Sequence, residues 1–245
     1  MTTMNQTANC KRCGRELSGD FCSACGHPGN LTRIDGRYLL SEISSVLNFD
    51  KGILYTVREL LLRPGESVRR YIREDRSKLM KPVIFVIVCS LLYSLAQQLL
   101  HFEADYAEAN AKATGESAVR DILVWIQKNY GYANIMMAFV IALWVRLFFR
   151  KGSYNYFEVL ILLFYVLGVG MLILAVSGIG ESLIGFRLLS IGGLIAFVYA
   201  GWAVARFYDK RKKINYLKGF LAYAIGTVTS FAAAILIGML IDAMT

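Results

Sequence analysis

Four of the five cysteines lie between positions 10 and 25, in the string CKRCGRELSGDFCSACG. Cys10 and Cys13 form one C-x2-C pair; Cys22 and Cys25 form the other. At that spacing a single turn of chain presents two thiolates to one metal ion. Two such turns complete a tetrahedral site of four sulfurs, the closed kind that builds structure. Gly14 and Gly26 follow the second cysteine of each pair. The backbone there is expected to turn toward positive φ so that N–H groups point at the sulfurs, and glycine does this without a Cβ penalty. The link between the pairs is short, and Gly19-Asp20 is a candidate hairpin turn within it. One pair alone would leave a redox dithiol or an iron site open. The duplicated pair with matched glycines points to structural zinc held by Cys10, Cys13, Cys22 and Cys25. In a reducing compartment such crowding argues for metal rather than disulfides. His27 follows a shell already filled by thiolates and reads as a surface residue. Cys89 sits in an apolar run and reads as a small buried hydrophobe.

The rest of the chain is of another kind. The full chain of 245 residues is 56% hydrophobic and only 18% charged. Too little charge is left to cover a soluble surface of this size, so a polytopic membrane protein is the leading class. Five apolar runs approach the roughly 20 residues needed to cross hydrocarbon. They are Pro82–Leu100, Tyr132–Phe149, Phe157–Ile179, Leu188–Ala205 and Gly219–Ile241. Arg146 lies close enough to the end of the second run to snorkel. The expected architecture is an all-α membrane protein: a bundle of about five transmembrane helices, a small N-terminal zinc ribbon and amphipathic juxtamembrane helices. The corresponding divisions are residues 1–30, 31–81 and 82–245.

Within residues 31–81, Ile34, Tyr38, Ile43, Val46 and Leu47 recur at helical spacing. Asp50 is a candidate cap for a second helix whose Ile53, Leu54, Val57, Leu60 and Leu61 would share a face. Arg63-Pro64-Gly65 should stop it, and Val68, Tyr71 and Ile72 mark a third. Eight basic residues from Arg58 to Lys81 face four acids. Such a segment suits an anionic leaflet, or equally forms ordinary solvated helix faces.

Charge also sets direction. With five spans, one face collects 23 Lys and Arg and the other 4. The positive-inside rule then places the N-terminus in the cytoplasm and Thr245 outside. The opening MTTMNQTANCKRCG, which has no apolar core followed by a cleavage site, agrees with that placement. Small residues recur every fourth position at Ala222, Gly226, Ser230, Ala234 and Gly238, and at Gly192, Ala196 and Ala200. These rows let helices approach closely, and read as intramolecular packing ahead of a homo-oligomer contact.

No acid falls at mid-membrane. Glu158 lies at the inner end of the third span, where it could pair with Arg146 or Arg150; Glu181 and Asp242 lie at the outer side. A coupled pump usually needs an ionisable or broken-helix site at depth. Ser90, Ser94, Gln97 and Gln98 could line a path or merely bond to neighbouring helices.

The strings CKRCG, FCSACG, RIDGRYLLSEI, FDKGILYTVRELLLRPGESVRRYI, the Lys81-Pro82 step and FFRKGSYNYFEVL together resemble a bacterial family of zinc-ribbon membrane proteins known only as a domain of unknown function. The likeness is sharpest over Cys10–Pro82 and Phe148–Glu158. It implies an N-terminal ribbon joined to a multi-helix domain in the bacterial inner membrane, and it brings no activity. It also marks Tyr154-Asn155-Tyr156, whose tyrosines otherwise read as interfacial anchors. Where such proteins often have Glu-His after that motif, this chain has Glu158-Val159.

The leading functional expectation is a non-catalytic membrane protein whose cytoplasmic ribbon docks a protein partner or regulates one. The alternative is a transporter or channel subunit. An enzyme is not expected, since there is no H-E-x-x-H, no G-x-S-x-G and no paired acids with a histidine. Nucleic acid is not an expected partner either: Lys11, Arg12 and Arg15 favour it, but Phe21 is the only ring in the module.

Overall fold

The computed structural model describes residues 9–10, 13–16, 19–25, 52–75, 78–100, 117–185, 187–209 and 211–244. The expected helix over 34–47, the Asp50 cap, Lys11, Arg12, Gly26 and His27 lie outside them. Contacts divide the chain into two units, Met1–Val46 and Leu47–Thr245.

In the second unit the described secondary structure is helical. α1 (Ile53–Leu62) starts after Gly52, which makes no side-chain cap. The Thr56 hydroxyl donates back to the Gly52 carbonyl at 3.1 Å instead. α1 stops where expected, because Pro64 pushes Arg63 out of the helical region. Pro64 then opens α2 (Pro64–Arg73) at its first position, the one place where a missing N–H costs nothing. The buried face of α1 is narrower than expected. Ile53, Thr56 and Leu60 are buried, while Leu54 and Leu61 are exposed. Leu54 and Leu61 each follow a buried residue directly, and so lie about 100° round the helix from the buried stripe.

Five helices are long and apolar enough to cross a membrane: α3 (Pro82–Leu100), α5 (Tyr130–Phe148), α6 (Tyr156–Ile184), α7 (Leu188–Tyr208) and α8 (Lys213–Met244). They overlap the five expected spans, with small shifts at most ends and two longer extensions. α6 runs on past Ile179 to Ile184 and stops at Gly185, whose φ of 72° ends the helix in a left-handed cap. α8 begins at Lys213, ahead of the apolar run proper. One helix was not expected. α4 (Ala118–Lys128) lies in the connection before α5, with the Ser117 side chain accepting from the Arg120 N–H.

α6 is the central helix, with 67% of its most apolar window buried, against 11% for α8. It packs on α3, α5 and α7, while α8 packs on α5, α7 and α4. The core they enclose includes Phe85, Cys89, Ile141, Val145, Tyr165, Met171 and Phe207, and Leu60 and Val68 from the two short helices belong to it. Outward faces are apolar too: Leu91, Leu95 and Leu99 on α3, and Leu236 and Leu240 on α8, are all exposed. Large apolar side chains on both the inside and the outside of long helices fit a protein that meets lipid rather than water.

The small-residue row of α8 lies at contacts within the chain. A Cβ on Gly226 would come to 2.8 Å from the Cα of Ile141, so α5 and α8 cross there with nothing between their backbones. Trp144 Nε1–H donates to Thr229 Oγ1 at 2.9 Å beside that crossing.

Candidate metal centre

In the first unit the four thiols converge. Cys10 Sγ lies 3.6 Å from Cys25 Sγ, and Cys13 Sγ lies 3.5 Å from Cys22 Sγ. All four sulfurs are within 4.8 Å of one another. A disulfide would need about 2.05 Å. A tetrahedral ion with metal–sulfur bonds of about 2.3 Å needs sulfurs about 3.8 Å apart. The donor set therefore fits one tetrahedral metal ion, each cysteine giving one ligand.

Local backbone bonds build each half. In the first, the Gly14 N–H donates to the Cys10 carbonyl at 2.8 Å and the Cys10 N–H to the Arg15 carbonyl at 2.7 Å. Asn9 and Glu16 close the loop with an antiparallel bridge. Gly14 has φ 76°, the left-handed geometry expected of it, and nothing lies within 4 Å of where a Cβ would be. Its glycine requirement is thus conformational rather than steric. In the second half, backbone N–H groups of Ala24 and Cys25 bond to the Cys22 sulfur and lower its thiol pKa from 9.0 to about 6. A thiolate stabilised in this way is the species that binds metal. Cys10 and Cys22 are buried and Cys13 is exposed. Gly19-Asp20 is a bend, and Gly19 has no positive φ, so the link is not a primed two-residue hairpin turn.

The other polar residues singled out in the sequence serve the helix bundle. Glu158 makes no ion pair with Arg146 or Arg150 among the described residues. It accepts from the Asn155 N–H at 2.7 Å, and its own N–H donates to Asn155 Oδ1 at 2.9 Å. This reciprocal pair is a capping box that starts α6. Glu181 accepts from the Leu189 N–H at 2.7 Å at the start of α7. Asp242 accepts from the Ala118 N–H at 2.6 Å at the start of α4. Each acid thus meets the positive end of a helix. Tyr154 is not an exposed anchor: it is buried, with Phe207 4.2 Å away and the Arg73 guanidinium 4.7 Å over its ring. Tyr156 donates to the Phe139 carbonyl at 3.0 Å. Ser90 sits at the α3–α5 contact, with its side chain in the space that Gly131 leaves. Cys89 is fully buried against α6, as a small hydrophobe would be.

Three residues escaped the sequence reading. Arg69 donates from Nη1 to the carbonyl of Arg206 and, at 2.9 Å, to that of Phe207. It therefore caps the C-terminal end of α7. Gly65 lies against the same two residues, where a Cβ would come within 2.3 Å of the Arg206 backbone. Thr56 accepts from the Met80 N–H at 3.0 Å and so ties α1 to the approach to α3. The clue available in the sequence was the compact string RPGES followed by arginines. It read as a helix stop and a basic surface, because nothing local identifies a partner more than a hundred residues away.

The fold and the cysteine cluster together define a helical protein of multi-pass membrane type with a four-thiol module. Residues 50–94, which cover α1, α2 and most of α3, match a family described as a protein of unknown function, DUF3667. No curated protein matches the chain, and no solved structure does.

Proposed function

We propose that Cys10, Cys13, Cys22 and Cys25 hold one zinc ion as a structural element, and that the resulting ribbon is a protein-docking or regulatory module on the cytoplasmic side of a bacterial inner-membrane protein. The observation that carries the reading is the convergence of four sulfurs within 4.8 Å. Four thiolates leave a zinc ion no open position for substrate, so the ion's role is to fold the module rather than to catalyse. Zinc is preferred because thiolates in a closed tetrahedral array suit it and it carries no redox chemistry. The charge distribution of 23 basic residues against 4 supports an N-terminus in the cytoplasm and a C-terminus outside. Docking is supported by what a metal-folded module offers, which is exposed surface held in place by the ion rather than an open coordination position. The protein acts, in this reading, as a non-catalytic membrane component.

Metal analysis of the purified full chain tests the first half. Zinc should accompany the wild type in equimolar amount and be lost from Cys22→Ser, while the helical bundle stays inserted. Equal metal in both would sink the four-cysteine assignment. Cross-linking and co-purification from native membranes tests the second half. A defined protein captured by the wild type and lost in Cys22→Ser supports docking. The same proteins captured by both would remove the ribbon from the interaction.

A further inference from the structure

A cavity of about 780 Å³ opens where the connection from α5 to α6 meets the connection from α7 to α8. Arg150, Lys151, Lys212 and Lys218 line it, with Asp209 the only acid among the described lining residues. Asp209 is already engaged, accepting from the Arg211 N–H at 2.9 Å and lying 4.0 Å from the Lys212 ammonium. Arg150, Lys151 and Lys218 have no ion pair among the described residues. The first turn of α8 also borders the cavity, through Ile214 and Asn215, and brings the positive end of a long helix to it.

Two further features sharpen the chemistry. The Tyr208 ring stacks on Phe149 with centroids 3.9 Å apart and planes 7° apart, forming one wall. Only the ring lines the cavity; the Tyr208 hydroxyl is sealed inside the protein, away from it. Converging cations without carboxylate partners call for an acceptor with several oxygens. The rim, in contrast, is apolar. Leu147 and Ile214 both line the cavity and are both 53% exposed. From them, exposed Leu143 on α5 and Leu217 and Leu221 on α8 continue the apolar flank. A soluble anion would have no use for that flank, whereas the acyl chains of a lipid would lie along it.

We propose that this cavity binds the phosphate-bearing headgroup of an anionic phospholipid, with the acyl chains against the exposed flank of α5 and α8. Basic pockets between membrane helices hold such headgroups by charge and hydrogen bonding. The proposal rests on the multi-pass membrane reading.

The test uses the full chain in neutral detergent, titrated with phosphatidylglycerol and followed by native mass spectrometry and thermal unfolding. The cavity variant is Lys151→Gln with Lys218→Gln. A control, Arg58→Gln with Lys81→Gln, removes the same charge elsewhere. Phosphatidylglycerol should bind the wild type and the control alike, and the cavity variant at least roughly tenfold more weakly. Equal weakening in cavity variant and control, or none in either, overturns the site. Inorganic phosphate should neither displace the lipid nor raise the unfolding temperature. If it does both, the cavity is a soluble-phosphate site and the lipid assignment fails. Recovery of the chain from the soluble fraction without detergent would sink the membrane reading itself, which none of these binding outcomes does.

Discussion

The Cys22 thiol gives up its proton more readily than an ordinary cysteine because the Ala24 and Cys25 N–H groups point at its sulfur. The sign of the consequence follows from linkage. The folded value, about 6, lies below the ordinary thiol value of 9.0, so the metal-free module gains stability from this group above pH 9. That gain shrinks as pH falls and is gone once pH drops through about 6. Metal follows the same direction, since protons compete with the ion for thiolate. Bound zinc, measured after equilibration across a pH series, should be held at neutral pH and released as acid protonates the thiolates. Metal content that does not change with pH even in strong acid would mean that thiolates are not the ligands. At this scale the sequence was readable for a physical reason. The C-x2-C spacing and Gly14 are local devices, and the left-handed φ of 76° at Gly14 needs no distant partner. The exposure of Cys13 and the bend at Gly19-Asp20 depend on how the two halves fold onto each other, which spacing does not encode.

Among the elements, charge and helix polarity are matched with some consistency. Glu158, Glu181 and Asp242 stand at helix starts, while Arg69 stands at the end of α7. The sequence revealed each acid as lying near a membrane boundary but not as a cap, except that Asn155 and Glu158 sit at capping-box spacing. α4 was missed although Ser117 and the apolar set Val119, Ile122, Leu123 and Ile126 mark a helix start and a helical stripe. The long apolar runs beside it dominated the reading. The docking of α2 gives the sharpest expectation here. Arg69→Met keeps the unbranched apolar stem but leaves the Arg206 and Phe207 carbonyls without their cation. It should cost about 1.5–3 kcal/mol, as charged hydrogen bonds do, read as a lower unfolding temperature in detergent. Arg69→Lys should restore part of the loss, because an ammonium can still reach one carbonyl but not fork across two. No change with Met would mean that α2 is held by apolar burial of Val68 and Tyr71 alone.

For the whole molecule, the number of membrane-length helices was legible because lipid imposes a length and a composition that survive without tertiary context. Their arrangement was not. That α6 is central and α8 peripheral depends on which faces meet; the higher mean hydropathy of α6, 2.9 against 2.2, hints at its burial but names no neighbour. The small-residue row of α8 was the exception, since Gly226 marked a close crossing and one is found there, against Ile141. Orientation is tested with fused reporters. A periplasm-active reporter after Thr245 should be active and one after Arg211 silent; the reverse would turn the molecule over. The link between Arg69 and Phe207 also sets a clock. The two residues are 138 positions apart, and ribosomes add about 5–20 residues per second. A newly made α2 therefore waits on the order of ten seconds before the end of α7 exists to receive it. Over that interval Leu60 and Val68, both fully buried in the finished protein, have no α7 to rest on. A nascent chain halted before α7 should consequently be cut by protease within α1 and α2, and one released after α8 should resist.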